Sequence, residues 1–229
     1  MLRTLLQHEW KSLRRSTFFT QSILKSIGIG FIVLYFALSA LGLGFAAAFI
    51  LEDLYPEGNV INIFSAFFLI YLLGDIVFRF MVQKFPSIAI HNYLTLNVPK
   101  STLTHLILAK SSFHFFNYLP LFAVIPFFFM KILPELGIGK ALIWITTTCI
   151  FIAINNYLSY YLDRQFGKKP VIASVILGLI IGVLFLNYKG YIDLLPILEN
   201  VSETIFFNPL VTLLPVSYTH LTLPTILLV

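Results

Sequence analysis

The sequence predicts an all-α polytopic membrane helix bundle: five full spans, the start of a sixth, and an N-terminal interfacial amphipathic helix. Composition is the first of three observations behind this. Of 229 residues, 59% are hydrophobic and 11% charged, where a soluble globular protein carries about 25% charged residues. The second is a set of apolar runs at about 26–51, 58–81, 111–130, 141–162 and 170–188. A helix rises 1.5 Å per residue, so about 20 apolar residues cross about 30 Å of hydrocarbon. Backbone amides in lipid find no water, so such runs must satisfy their own hydrogen bonds as helices. The third is the one-sided distribution of Lys and Arg between the runs.

Met1–Lys25 reads as an amphipathic helix on the inner membrane face. Leu2, Leu5, Leu6, Trp10 and Leu13 fall on one arc at helical spacing, opposite Arg3, Gln7, Lys11, Arg14 and Arg15. A basic face opposed by Trp and Leu marks a helix lying in the interface. Glu9 interrupts the apolar arc and needs a partner there. A cytoplasmic helix packed on protein is the competing reading. The first run follows after about 25 polar-rich residues and is longer than the apolar core of a secretion signal, so it reads as an uncleaved span.

Orientation follows from the basic residues. Eleven lie on one side: Arg3, Lys11, Arg14, Arg15, Lys25, Lys84, Lys100, Lys110, Arg164, Lys168 and Lys169. Three lie on the other, Lys131, Lys140 and Lys189, among Glu52, Asp53, Glu57, Glu135, Asp193, Glu199 and Glu203. The N-terminus is therefore expected in the cytoplasm, and the protein in a bacterial inner membrane. Tyr157, Tyr160, Tyr161, Tyr188 and Tyr191 suit the aromatic belts at the two interfaces. The net charge of +5 does not point to nucleic acid, because its basic residues are scattered over membrane-flanking loops.

The inner loop Phe85–Lys110 is the most structured connection. Pro86 stops the second span, Ile88–Leu96 is apolar but too short to cross, and Pro99 breaks the chain again before Ser101, a candidate N-cap. Apolar content in a loop on the cytoplasmic side calls for a cover, either a partner protein or the membrane face. Pro120 and Pro126 are expected to kink the third span. Residues 131–140 and 189–204 read as outer loops, with the partial sixth span beginning at about Ile205.

Asp75 and Arg79 form an acid–base pair inside a span, one helical turn apart on one face. Charges near a helix centre cost roughly 2.5–3.5 kcal/mol each and so usually face a cavity or a partner. The pair reads either as a transport-path or gating site, or as an end-of-span pair with Arg79 snorkelling to the headgroups. Asn117, Asn155 and Asn156 are expected to hydrogen-bond between helices. Gly178-Leu-Ile-Ile-Gly182 permits close helix approach, within the subunit in preference to between subunits. Cys149 has no partner in the chain.

Catalytic patterns are missing. His8-Glu9 lacks a following histidine at Ser12, and the sequences ending in Lys140 and Lys168 lack the first P-loop glycine, with Pro134 and Leu162 in its place. No Gly-x-Ser-x-Gly elbow occurs. Asn200-Val-Ser202 is a formal glycosylation sequon of common chance occurrence. No enzyme, metal or cofactor is expected.

The basic helix that leads straight into the first span, Leu5, Leu6 and His8-Glu9-Trp10-Lys11-Ser12-Leu13-Arg14-Arg15, resembles the elbow helix of ABC-2-type exporter permeases. The inner loop Tyr93-Leu94-Thr-Leu96-Asn-Val-Pro99-Lys100-Ser101 is similar to the permease segment between the second and third spans. More narrowly, the chain looks like an uncharacterised bacterial permease-like family. This resemblance implies the membrane subunit of an ATP-driven exporter, paired as a homo- or heterodimer, with a separate ABC ATPase. It implies ATPase contacts at Ile90, Tyr93, Leu94, Leu96, Pro99 and Lys100. A non-transporting membrane scaffold or assembly factor is the alternative.

Val216–Thr225 reads as the in-frame translation of a transposon-end sequencing adapter, followed by three variable residues, Val229 and a stop. The alternative is a polar loop before a sixth span. Residues 216–229 are thus expected to be foreign, with the natural chain continuing beyond about Pro215 and His220 carrying no functional weight.

Overall fold

A computed structural model describes residues 23–56, 58–82, 111–112, 115–166 and 170–208, together with Lys11. The interfacial-helix residues Glu9, Trp10, Arg14 and Arg15, the loop residues Ile90–Lys100 and the segment Val216–Val229 lie outside these. The described residues are almost wholly helical, with no strand among them. The helices are α1 (Ile23–Leu54), α2 (Val60–Val82), α3 (Phe115–Phe127), α4 (Leu133–Phe166), α5 (Pro170–Tyr188) and α6 (Leu194–Phe207).

Three helical stretches are long and apolar enough to cross a membrane: Ile27–Leu54, Val60–Phe80 and the 49-residue stretch Phe115–Asp163. The last is a hairpin. Asn156 donates to Ser111 Oγ at 3.0 Å, whereas 45 residues along one straight helix would separate them by about 68 Å. The reversal falls at Gly137, whose φ of 73° and ψ of 168° break the helix in a region that is almost exclusively glycine's. The expected outer loop at 131–140 is therefore not a loop: helix runs up to this glycine and resumes directly after it. α3 stays helical through Pro120 and Pro126, and its departure from α geometry is a π-helical turn at Phe128–Ile132, closed by the Leu133 amide donating to the Phe128 carbonyl. Local widening of this kind relieves a ladder already broken by proline.

A second correction concerns residues 189–204, read above as an outer loop before a span starting near Ile205. Here α6 occupies Leu194–Phe207, and Ile205–Phe207 are its last residues. Its 14 residues extend only about 21 Å, too short to cross. α6 packs on α2 and α4. Ser202 Oγ lies 2.9 Å from the Glu199 carbonyl and 3.2 Å from that of Asn62 on α2.

Aromatic side chains build the core between α2, α3, α4 and α6. Phe64 stacks on Phe127 with ring centres 3.7 Å apart, and Trp144 stacks on Phe206 at 5.5 Å. The Trp144 indole donates to Ser65 Oγ at 3.0 Å, and Ser65 in turn donates to the Ile61 carbonyl at 2.7 Å. Both polar tips are thus satisfied without water, which burial of Trp requires. α1 lies along α3, so tightly that a Cβ added to Gly44 would fall on the Ala123 carbonyl. The outward faces of α1 and α5 are exposed Ile, Leu, Val and Phe throughout. No soluble protein tolerates so large an apolar surface; lipid is its solvent.

The bundle has two chemically distinct ends. At one, Lys131 donates to Glu52 at 2.7 Å, beside Asn59, which caps α2 through its Oδ1 and the amides of Ile61 and Asn62. At the other lie Arg79, Ser111, Asn155 and Tyr157. Glu52, Lys131 and Lys140, assigned to one side by charge counting, sit at one end together.

Candidate functional site

Polar side chains from α2, α3 and α4 converge at the Arg79 end. Asp75 and Arg79 are in the last two turns of α2, where i,i+4 spacing stacks them on one face. Arg79 Nε donates to Asp75 Oδ2 at 2.5 Å. One terminal nitrogen donates to Asn117 Oδ1 at 2.5 Å and the other to the Phe116 carbonyl at 2.6 Å, both on α3. From α4, Asn155 Nδ2 donates to the same Asp75 oxygen at 2.6 Å. Asn117 Nδ2 reaches the carbonyls of Ser111 and Ser112, each at 3.0 Å. Asn156 to Ser111 and Ser112 to Tyr157 close the circuit between α3 and α4.

Arg79 is 0% exposed. The snorkelling alternative is corrected by this: the guanidinium turns into the bundle, because three acceptors wait there and none is needed from the headgroups. A planar fork with several donors suits such a task better than an ammonium would. Charge-assisted bonds in a low-dielectric interior are strong, and an arginine held this way becomes a rigid joint among three helices. Asn117, Asn155 and Asn156 all bond between elements. The cluster links α2, α3 and α4 through charge-assisted hydrogen bonds.

The sequence pairs Asp75 with Arg79 and singles out the three asparagines, but does not join the pair to them or include Ser111, Ser112 and the Phe116 carbonyl. Depth was the available signal: in an up-and-down bundle, polar residues near the end of α2 and just before and at the start of α3 lie level with those near the end of α4. Gly178 and Gly182 meet nothing within 4 Å. Among the described residues, no neighbour accounts for the GxxxG spacing. Cys149 is exposed on α4. Among the described residues, no three His, Cys, Asp or Glu side chains gather where a metal could bind.

An apolar multi-helix bundle cross-linked by a buried arginine defines an integral membrane protein of the α-helical class. The chain belongs to a protein family of unknown function, DUF5687, whose model matches residues 9–225. That span takes in Val216–Thr225, the part of the tail that reads as adapter. No curated protein and no solved structure matches the chain.

Proposed function

We propose that this chain is the membrane subunit of an ATP-driven exporter of the ABC-2 type, with ATP hydrolysed by a separate subunit. One observation carries the reading. The described residues that flank segment 83–110, the end of α2 on one side and Ser111 on the other, are both tied into the Arg79 cluster. A force applied to that segment reaches α2, α3 and α4 through one joint. This is the mechanical requirement for coupling a docked ATPase to the helices. In this reading the N-terminus is cytoplasmic, and the hairpin Phe115–Asp163 contributes two crossings and α5 a fifth. A second permease subunit pairs through the open Gly178–Gly182 face. The membrane is a bacterial inner membrane.

The test is co-purification with a co-expressed ABC ATPase. Replacing Tyr93 and Leu94 by Ala is expected to weaken the complex by about 1–2 kcal/mol, since a few aromatic and aliphatic anchors dominate most interfaces, while membrane insertion persists. Unchanged co-purification rejects the contact. The rival reading, a non-transporting membrane scaffold, draws on the complete enclosure of Arg79, which as arranged lines no path; it takes first place if no ATPase partner is found.

A further inference from the structure

A close backbone approach between α1 and α3 lies beside an open cavity. Gly44 lets α1 lie against the backbone of α3 at Ala123, and this draws α1 away from α2, which it touches far less. The gap is an open groove of about 580 Å³, walled by α1 and α2 and floored by α3. Its lining is carbon apart from Ser39 and Tyr71. Phe36, Leu43 and Ile50 form one rim, spaced every seven residues so that they follow a single line down α1. Phe67 and Tyr71, one turn apart, form the other. These rims are exposed, whereas Ala40 at the base of the α1 wall and Val124 on the α3 floor are buried.

Position and dimensions identify the occupant. Ile50 is two residues from Glu52, whose ion pair with Lys131 marks one end of the bundle. From Ile50 to Phe36 the groove runs about 21 Å along the helix axis, and one leaflet of hydrocarbon is about 15 Å deep. It therefore begins at the level of charged groups and continues past the depth of a whole leaflet, bounded by small residues on its floor and lipid-facing rings at its edges. An unfilled slot in hydrocarbon forfeits dispersion contacts along its entire wall. A transmembrane helix of a partner, about 10 Å across with its side chains, does not enter a slot of this volume. A single flexible methylene chain does.

We infer that the α1–α2 groove is a binding site for one acyl chain of a membrane phospholipid, with its headgroup at the Glu52–Lys131 end and its methyl terminus towards Tyr71. The inference is independent of whether the protein transports anything.

The full chain is reconstituted in vesicles of phosphatidylethanolamine and phosphatidylglycerol doped with phospholipids that carry a diazirine either near the carbonyl or at the chain terminus. Photolysis and peptide mapping then locate the lipid. α5 supplies the internal standard, because Leu179 and Leu43 are equally exposed, at 66% and 67%. Groove residues are expected to label several-fold more than α5. The carbonyl-proximal probe should favour Ile50 and Phe64, and the terminal probe Phe36, Tyr71 and Leu119. Ala46→Trp, which fills the groove, should abolish that excess and leave α5 labelling intact; Ser39→Trp serves if the first variant fails to assemble. Labelling spread evenly over groove and α5 would show ordinary annular lipid and overturn the site. A reversed depth order, or an excess that survives filling, would overturn it equally.

Discussion

Removing the Arg79 side chain while keeping its bulk, Arg79→Met, tests whether the polar cluster holds the bundle together. The wild-type guanidinium satisfies Asp75, Asn117 and the Phe116 carbonyl at 2.5, 2.5 and 2.6 Å. Methionine leaves the Asp75 carboxylate with Asn155 as its described donor, and strips a donor from the buried Asn117 Oδ1 and from the part-buried Phe116 carbonyl on α3. Breaking one side of a buried ion pair costs about 3–5 kcal/mol. The buried Asn117 Oδ1 that loses its donor adds about 1–3 kcal/mol before relaxation, although hydrogen bonds between membrane helices average only about 0.6 kcal/mol by double-mutant cycles. The ion pair therefore dominates, and a loss of about 3–5 kcal/mol is expected for the single variant. Asp75→Leu combined with Arg79→Met removes both charges together, and the pair should cost clearly less than the two single losses added. Unfolding in mixed detergent micelles, followed by tryptophan fluorescence, reads each free energy, because Trp144 sits in the core that α2, α4 and α6 share. A single-variant loss under about 1 kcal/mol, below the range for a broken buried pair, would refute the reasoning. So would strict additivity of the double variant, which would mean the two side chains do not act on each other.

Gly44→Leu should separate α1 from α3 and cost about 1–3 kcal/mol of overpacking, whereas Gly178→Ala and Gly182→Ala, with open space around them, should change monomer stability by no more than about 1 kcal/mol; the same micelle unfolding compares them. Gly137→Ala places an L-residue at φ 73° and should cost about 1–3 kcal/mol, seen as a lower midpoint in that titration, with Gly139→Ala as the neutral comparison. In a Cys149→Ser background, single cysteines at Asp53 and Glu135 should react with an impermeant maleimide in intact cells and a cysteine at Lys100 should not; labelling at Lys100 would reverse the proposed orientation.

Several elements were legible without coordinates because their cause is local. The apolar lengths of α1 and α2 follow from their long uncharged runs, since a polar group in hydrocarbon costs several kcal/mol wherever it points, although both helices carry charged residues towards their ends. The helical state of Phe115–Phe127 was equally plain despite two prolines. The 131–140 segment misled because Lys131 and Lys140 read as loop residues; in fact the lysines flank a turn made by one glycine, and Lys131 has Glu52 as its partner. The 194–207 segment misled for the opposite reason. Its Glu199 and Glu203 suggested solvent, but they share a short helix with Leu195, Ile205 and Phe206, whose apolar face fills the core.

What the sequence by itself determined is therefore the membrane class, the helical backbone and the approximate limits of the long helices, all one-dimensional consequences of apolar run length. Rotation about each helix axis was decided only in three dimensions. α1 and α5 are apolar on nearly every side, so no residue pattern tells which face meets protein and which meets lipid; for α1 the answer came from Gly44 against Ala123. The Arg79 joint shows the same division. Charge spacing made Asp75 and Arg79 neighbours, because one turn of helix separates them. Asn117 and Asn155 joined them from 38 and 80 residues away, at a distance only the packing of three helices could close.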